Sequence, residues 1–464
     1  MNRRIRNVHL VGIGGVGMSG IAEILHASGY SVTGSDLRSG ETVRRLRALG
    51  IPVELGHDGP NVAGSDVVVY STAIARTNPE LAEADRRGLP VISRAEMLAE
   101  LMRMKHGIAV AGSHGKTTTT SMIGTVLQAG GLDPTIVVGG RVRSLGSHSR
   151  LGAGDLLVAE ADESDGSFLR LHPTTVVITN IDAEHLEHYG GMEPLRAAFA
   201  DFANGIPFYG SATLCVDDPG VRRVLPRIAR RTRTYGLSAE AQLIAERIVI
   251  DGLETRFEVR CDGARRGEVR LAMPGVHNVR NALAALSIAL EFDVPWPDAL
   301  EALSGFQGVE RRFEVRGEAG GVLVIDDYAH HPSEIRATLE AARAGLGRRL
   351  LVAFQPHRYS RTKSLLKEFA ASFSEADTVL LTEIYPAGEE KIPGVDGRAL
   401  ANATRAAGTK VEFVPEPADL VSCLESLASA GDAVLFLGAG DVNRFVSPLL
   451  ERLSGRDRQG GDDH

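Results

Sequence analysis

The sequence predicts an α/β protein of three successive βα domains, and three observations carry that reading. Short apolar runs alternate with helix-period segments along nearly the whole chain, which is the pattern of parallel sheets with covering helices. Glycine reaches 52 residues and gathers in turns directly after apolar runs, as phosphate-handling folds require. The length, 464 residues, accommodates about three domains of ~150 residues each.

Composition narrows the class. Apolar residues make up 43% of the chain, enough for sizeable cores. Net charge is 51 − 59 = −8, which argues against a nucleic-acid binder, since that needs a cationic footprint. No apolar run approaches the ~18 residues of a transmembrane helix, so no membrane insertion is expected. Cys215, Cys261 and Cys423 lie far apart and form neither a zinc knuckle nor a disulfide framework, so the expected compartment is the reducing cytoplasm.

The first domain, residues 1–105, opens with a strand at Val8–Val11, a glycine turn and a helix around Ile21–Ala27. A second strand ends at Asp36, a helix covers Val43–Leu49, and Val67–Tyr70 is a buried strand. Asn78-Pro79-Glu80 is a helix cap followed by proline at the first helical position. Arg94–Lys105 is the helix that ends the unit. The second domain, 106–312, repeats the pattern from Ile108–Ala111, with strands at Thr135–Val138, Leu156–Ala159 and Val176–Thr179. From Ser211 to Met273, short alternating strands suggest an antiparallel addition, and a helix at Asn278–Leu290 closes the block. The third domain, 313–453, has strands at Val322–Ile325, Leu350–Phe354, Val379–Leu381, Val411–Val414 and Val434–Leu437. The polar residues 454–464 are expected to be a disordered tail.

Four groups of residues could do chemistry. Gly12, Gly14 and Gly17 form G-x-G-x-x-G between a strand and a helix, with Asp36 at the next strand end, an arrangement suited to a pyrophosphate and a ribose. On its own this motif fits a nicotinamide site equally well. Gly112-Ser113-His114-Gly115-Lys116-Thr117-Thr118 also lies between strand and helix. Its amides would cradle phosphates, Lys116 would neutralise their charge, and Thr117 would offer a hydroxyl to Mg²⁺. Val110 stands where a Walker-type loop has its first glycine. Two acidic clusters, Glu160–Asp165 and Asp182–His188, follow adjacent strands and could serve a metal beside that phosphate. In the last domain, Asp326–Pro332 and Phe354–Arg361 follow two strands, and Gly438–Asp441 follows another. Arg358 and Arg361 there have the type and spacing for forked hydrogen bonds to a carboxylate or phosphate.

Taken together, Gly-Ser-His-Gly-Lys-Thr-Thr-Thr-Thr, Glu-Ala-Asp-Glu-Ser-Asp-Gly-Ser-Phe-Leu, Met-Pro-Gly-Val-His-Asn-Val-Arg-Asn-Ala and Asp-Asp-Tyr-Ala-His-His-Pro resemble the Mur ligases, in order and spacing over about residues 5–450. The resemblance implies an N-terminal Rossmann-like domain for a UDP-sugar, a central P-loop-type ATPase with a mixed sheet, and a C-terminal Rossmann-like domain that brings an amino acid. It also implies ATP and Mg²⁺ as cofactors.

Residue by residue, it implies that Gly12, Gly14, Gly15 and Gly17, with Asp36 and Ser71, bind the UDP-sugar. Gly112, Ser113, His114, Gly115, Lys116, Thr117 and Thr118 would bind ATP phosphates. Thr117 and Glu160 would hold one Mg²⁺, and His185 a second metal. His277, Asn278 and Asn281 would lie near the adenine, Arg312 near the γ-phosphate, and Asp327 near the nucleotide. His330, Arg358 and Arg361 would meet the amino acid. Lys116, His185, Arg312 and His330 would be catalytic. Several relatives bridge their metals with a carbamoylated lysine, yet no lysine occurs between Thr117 and Thr362. That fits the alanine-adding branch, with UDP-N-acetylmuramate and L-alanine as substrates and a monomer or weak homodimer as the form. A recycling branch that adds a tripeptide to the same sugar nucleotide, and a non-catalytic nucleotide-binding sensor, are the alternatives.

Overall fold

The computed structural model describes residues 5–71, 73–142 and 147–459. Three sheets follow one another along the chain. The first has five parallel strands, β1 (Asn7–Val11), β2 (Ser31–Asp36), β3 (Val53–Leu55), β4 (Val67–Tyr70) and β5 (Val91–Ser93), in the order β3-β2-β1-β4-β5. Its helices are α1 (Val16–Ala27), α2 (Glu41–Ala48), α3 (Pro79–Arg87) and α4 (Arg94–Arg103). Asn78 caps α3 as the sequence suggests, its side-chain oxygen accepting the Glu80 N–H at 2.9 Å. Ser93 and Glu96 close a reciprocal capping box on α4.

The second sheet has ten strands: β6 (His106–Ala111), β7 (Thr135–Val142), β8 (Ser147–Arg150), β9 (Leu156–Glu160), β10 (Thr175–Ile178), β11 (Ser211–Cys215), β12 (Arg231–Gly236), β13 (Leu243–Asp251), β14 (Glu254–Cys261) and β15 (Ala264–Leu271). Their order is β15-β14-β13-β12-β11-β10-β6-β9-β7-β8. Here the structure corrects the sequence reading. β11 and β12 run parallel to β10, because the short helix Pro219–Val224 supplies a crossover between them. Between Ser211 and Met273 the antiparallel part is confined to β13–β15, whose connections of two residues leave no room for a crossover, and at the opposite edge β7 and β8 also pair antiparallel. The helix α5 (Lys116–Ala129) follows β6 directly.

The third sheet comprises β16 (Glu314–Ala319), β17 (Val322–Asp327), β18 (Leu350–Phe354), β19 (Thr378–Leu381), β20 (Val411–Phe413) and β21 (Ala433–Leu437), in the order β16-β17-β21-β18-β19-β20. All pairs are parallel except the edge strand β16. Strand periodicity splits its core in two. Leu323, Ile325, Leu350, Val352 and Phe354 pack with helix residues Ile335, Leu339 and Leu400 on one face. Val322, Val324, Leu351 and Ala353 pack with Leu420, Leu424, Val446 and Leu449 on the other. The last helix extends from Val446 to Gln459, past Ser454 where the sequence reading begins its tail, and residues 460–464 lie outside the described residues.

The chain divides into two compact units. One is Met1–Glu246 with Glu258–Val269 and Arg280–Val309; the other is Arg247–Phe257 with Arg270–Val279 and Glu310–His464. In the first unit the two sheets share a continuous core that runs from Val8 to Val224. Ser149 of β8 adds a hydrogen bond of 3.0 Å to Glu23 of α1. Among the described residues, no helix is long and apolar enough to cross a membrane.

Candidate active site

The phosphate loop is built by β6 stopping at Ala111 and α5 starting at Lys116. Gly112 and Gly115 have φ of +134° and +80°, backbone that side chains disfavour. The end of β10 fastens the loop. Asn180 accepts the His114 N–H at 2.8 Å and donates to the His114 carbonyl at 3.0 Å, and Thr179 Oγ1 donates to the same carbonyl at 2.7 Å. Ser113 Oγ accepts the Asp182 N–H at 2.9 Å. Thr179 and Asn180 are site residues that sequence reasoning missed. Their only signal was their place at the end of a strand adjacent to β6. A methyl group at position 112 would overlap Thr179 Oγ1. Gly112→Ala is therefore expected to weaken adenine-nucleotide binding at least ~10-fold by calorimetry, because the loop can no longer close on Thr179. Unchanged binding would show that the loop geometry is not what holds the nucleotide.

Lys116 Nζ donates to the carbonyls of Gly112 (2.6 Å) and Ser113 (3.3 Å) and to Glu163 Oε2 (2.8 Å). Burial alone would push its ammonium down in pKa, but Glu163, Asp162 and Glu184 outweigh that and hold it protonated. Glu163 is only 1% exposed, and its other oxygen, Oε1, is buried without a hydrogen-bond partner. Burial pushes this carboxyl above its ordinary range while Lys116 pulls the other way. Asp162 is held below its ordinary range by Lys116 and by the Ser164 N–H at 3.0 Å.

Glu163, Glu184 and His185 bring ligand atoms within 4.8 Å of one another. Two carboxylates and an imidazole, one oxygen of the set buried and unpartnered, fit a divalent cation. His185 holds a left-handed backbone (φ +55°), a strained position that the surrounding fold must enforce. Glu160 ends β9 beside Val110, three residues before the carboxylate that reaches Lys116. Thr117 and Thr118 are buried at the start of α5. Asn281 lies against the loop itself. Its Oδ1 accepts from Thr119 at 3.1 Å and sits 2.9 Å from where a Gly115 side chain would begin.

The N-terminal glycine turn is braced from β2. The Ser35 carbonyl accepts the N–H groups of Gly12 (2.9 Å) and Ile13 (3.0 Å), and Asp36 Oδ2 accepts that of Gly14 (2.9 Å). Gly15 precedes α1, and Gly17 faces Arg94, whose guanidinium nitrogen lies 3.0 Å from where a side chain would start. Ser71 Oγ accepts the Ala73 N–H at 3.4 Å.

The second unit gathers a separate set at the strand ends of its sheet. Both oxygens of Asp327 accept backbone N–H groups at 2.7 Å, from Phe313 and Ala329, so this side chain clamps the segment that carries Arg312. Arg312 lies 3.4 Å from Glu334 and over the ring of Tyr328. His330 Nδ1 is 3.1 Å from Glu334, and His357 stacks on Tyr385. Burial, with His330 and the arginines 361 and 358 around it, lowers His357 to about 4. It is neutral at pH 7 and lies 3.5 Å from Arg361. Arg358 has φ +72° at the start of the helix Tyr359–Ser364. His277 and Asn278 belong to this unit, the Asn278 amide donating to the Pro274 carbonyl at 2.8 Å.

Family models cover this geometry in order. The model described as Mur ligase family, catalytic domain, matches residues 7–106; the Mur ligase middle domain matches 110–289; the Mur ligase, glutamate ligase domain, matches 311–440. The chain belongs to the Mur ligase family. This Mur ligase is 54% identical over 455 residues to the UDP-N-acetylmuramate–L-alanine ligase of Geobacter sp. (strain M21), covering 98% of this chain and 99% of that one. The enzyme of the same description from Sorangium cellulosum is 55% identical over 457 residues, 98% of this chain and 97% of its own. Among solved structures, the UDP-N-acetylmuramate-alanine ligase of Thermotoga maritima superposes with a TM-score of 0.81 at 31% identity, over 97% of this chain and 99% of that one. A murein peptide ligase from Psychrobacter arcticus reaches 0.71 at 26% identity, over the same shares.

Proposed function

We propose that this Mur ligase joins L-alanine to the lactyl carboxylate of UDP-N-acetylmuramate at the expense of ATP, in cytoplasmic assembly of a cell-wall precursor. The observation that carries the reading is the full-length identity of more than half to ligases of that description, together with a phosphate loop whose half-buried lysine is held charged by the carboxylates around it. The carboxylate attacks the γ-phosphate, giving an acyl phosphate and ADP. The alanine amine then attacks the acyl carbon, and phosphate leaves. No protein nucleophile is required.

Two anions must meet in the first step, so catalysis is chiefly charge placement. The amides of Gly112–Gly115 and the Lys116 ammonium would hold the β- and γ-phosphates. Glu163, Glu184 and His185 would hold Mg²⁺, which supplies positive charge beside the transferred phosphoryl group. Arg312, held by Glu334 and the Tyr328 ring, would face the same charge. The turn from Gly12 to Gly17 would take the UDP pyrophosphate. Arg358 and Arg361 would grip the alanine carboxylate, with neutral His357 beside Arg361.

Phosphate release with UDP-N-acetylmuramate, ATP and one amino acid at a time tests the reading. Turnover with L-alanine is expected. Turnover only with a tripeptide would assign the recycling activity, and none with either would leave a nucleotide-binding sensor. Arg361→Lys separates the arginine assignment. A point charge cannot replace the planar donor pair, so the KM for alanine should rise about 10-fold while that for the UDP-sugar holds. An unchanged alanine KM would remove Arg361 from the amino-acid site.

A further inference from the structure

The Lys116 ammonium has three N–H donors, and the structure spends all three, two on carbonyls of its own loop and one on Glu163. A phosphate that takes this ammonium must displace one of these acceptors, and Glu163 is the one among them whose negative charge also repels it. Displaced, that carboxylate would be a charge 1% exposed with no cation, which is unfavourable unless another positive group receives it. The receiver is already in place. Glu184 and His185 offer ligand atoms within 4.8 Å of the same carboxylate, and Glu163 Oε1 has no hydrogen-bond partner.

We propose that Glu163 is a two-position carboxylate: paired with Lys116 it blocks the phosphate loop, and a divalent cation held with Glu184 and His185 draws it off, so that metal and nucleotide bind with positive coupling through this one side chain. Three carboxylates, Asp162, Glu163 and Glu184, act on Lys116, so a phosphate arriving without metal would add charge to a pocket that is already negative. Coupling of this kind is reciprocal: whatever factor the metal contributes to nucleotide affinity, the nucleotide contributes to metal affinity. The proposal rests on the reading of the loop as an adenine-nucleotide site.

Calorimetry with ADP, in chelator and then in Mg²⁺, reads the coupling directly. In chelator, Glu163→Gln should bind ADP about 10-fold more tightly than the parent, and its gain on adding Mg²⁺ should shrink by the same factor. Equal or weaker metal-free binding by Glu163→Gln overturns the proposal. Binding of the UDP-sugar to the first domain checks that the variant is folded. A second variant keeps the test decisive. Lys116→Met should bind Mn²⁺ alone about 10-fold more tightly by electron paramagnetic resonance, and Lys116→Met/Glu163→Gln should lose that gain. If the double variant keeps it, removal of charge alone accounts for the effect and the proposal fails. Failure of the parent to bind ADP even with Mg²⁺ would instead overturn the functional reading, and this inference with it.

Discussion

Lys116→Met is expected to lose phosphate release by about 10³-fold, the scale of removing a charged group aimed at a developing phosphoryl charge. UDP-sugar binding should change less than about 2-fold, because that ligand is assigned to the turn at Gly12–Gly17 in a different sheet. The same variant leaves Glu163 buried beside no cation. Breaking such a pair costs about 3–5 kcal/mol, and because burial already pushes this carboxyl toward its protonated form, the lower figure is expected. The melting temperature should fall accordingly. Adding Glu163→Gln should restore most of it by removing the orphaned charge, without restoring turnover. Recovery of turnover in the double variant would show that Lys116 serves the fold and not the phosphoryl group.

Glu80→Ala is expected to be the most destabilising change in the N-terminal domain. Glu80 is fully buried on α3 and accepts Ser35 Oγ and Asn61 Nδ2, both at 2.6 Å, with His57 Nδ1 at 3.3 Å and His9 Nε2 at 3.8 Å. Losing these charge-assisted bonds leaves several buried donors unpaired, at about 3 kcal/mol or more. The effect should reach the ligand. Ser35 holds the N–H groups of Gly12 and Ile13 through its carbonyl, so the KM for the UDP-sugar should rise at least ~5-fold while the KM for ATP holds.

An acid signature accompanies the prediction. Burial opposes ionisation of Glu80, but the His9 imidazole 3.8 Å away and hydrogen bonds from Ser35 and Asn61 outweigh it and hold the carboxyl below its ordinary range. A depressed folded pKa contributes stability that is complete above the unfolded value of about 4.3 and is lost as pH falls through the folded value. Melting curves from pH 7 to pH 3 should therefore show a shallower acid loss in Glu80→Gln than in the parent. Parallel curves would mean that Glu80 is not carrying that charge.

The sequence by itself determined whatever is written in neighbouring residues. Strand, glycine turn and helix at 7–27 and 106–129 were legible because a left-handed turn demands glycine and a helix start accepts phosphate. The Asn78 cap was legible because capping is a contact between residues two apart. The order of the four motifs was enough for the family.

Only the tertiary structure decided which side chains meet. Three-residue strands such as β3 and β5 carry too little periodicity to be read, and pairing with β2 and β4 is what makes them strands. Glu80 reads as a helix-start residue, yet β1, β2, the 57–61 segment and α3 together make it the centre of a buried network. The family resemblance implies a metal role for Glu160, the last residue of β9. Which carboxylate meets Lys116 is a separate matter: the turn after β9, tied by the Ser164 N–H to Asp162 and by the Tyr189 hydroxyl to the Glu163 carbonyl, delivers Glu163 to it. That pairing is set by the path of the chain through space, and no local pattern encodes it.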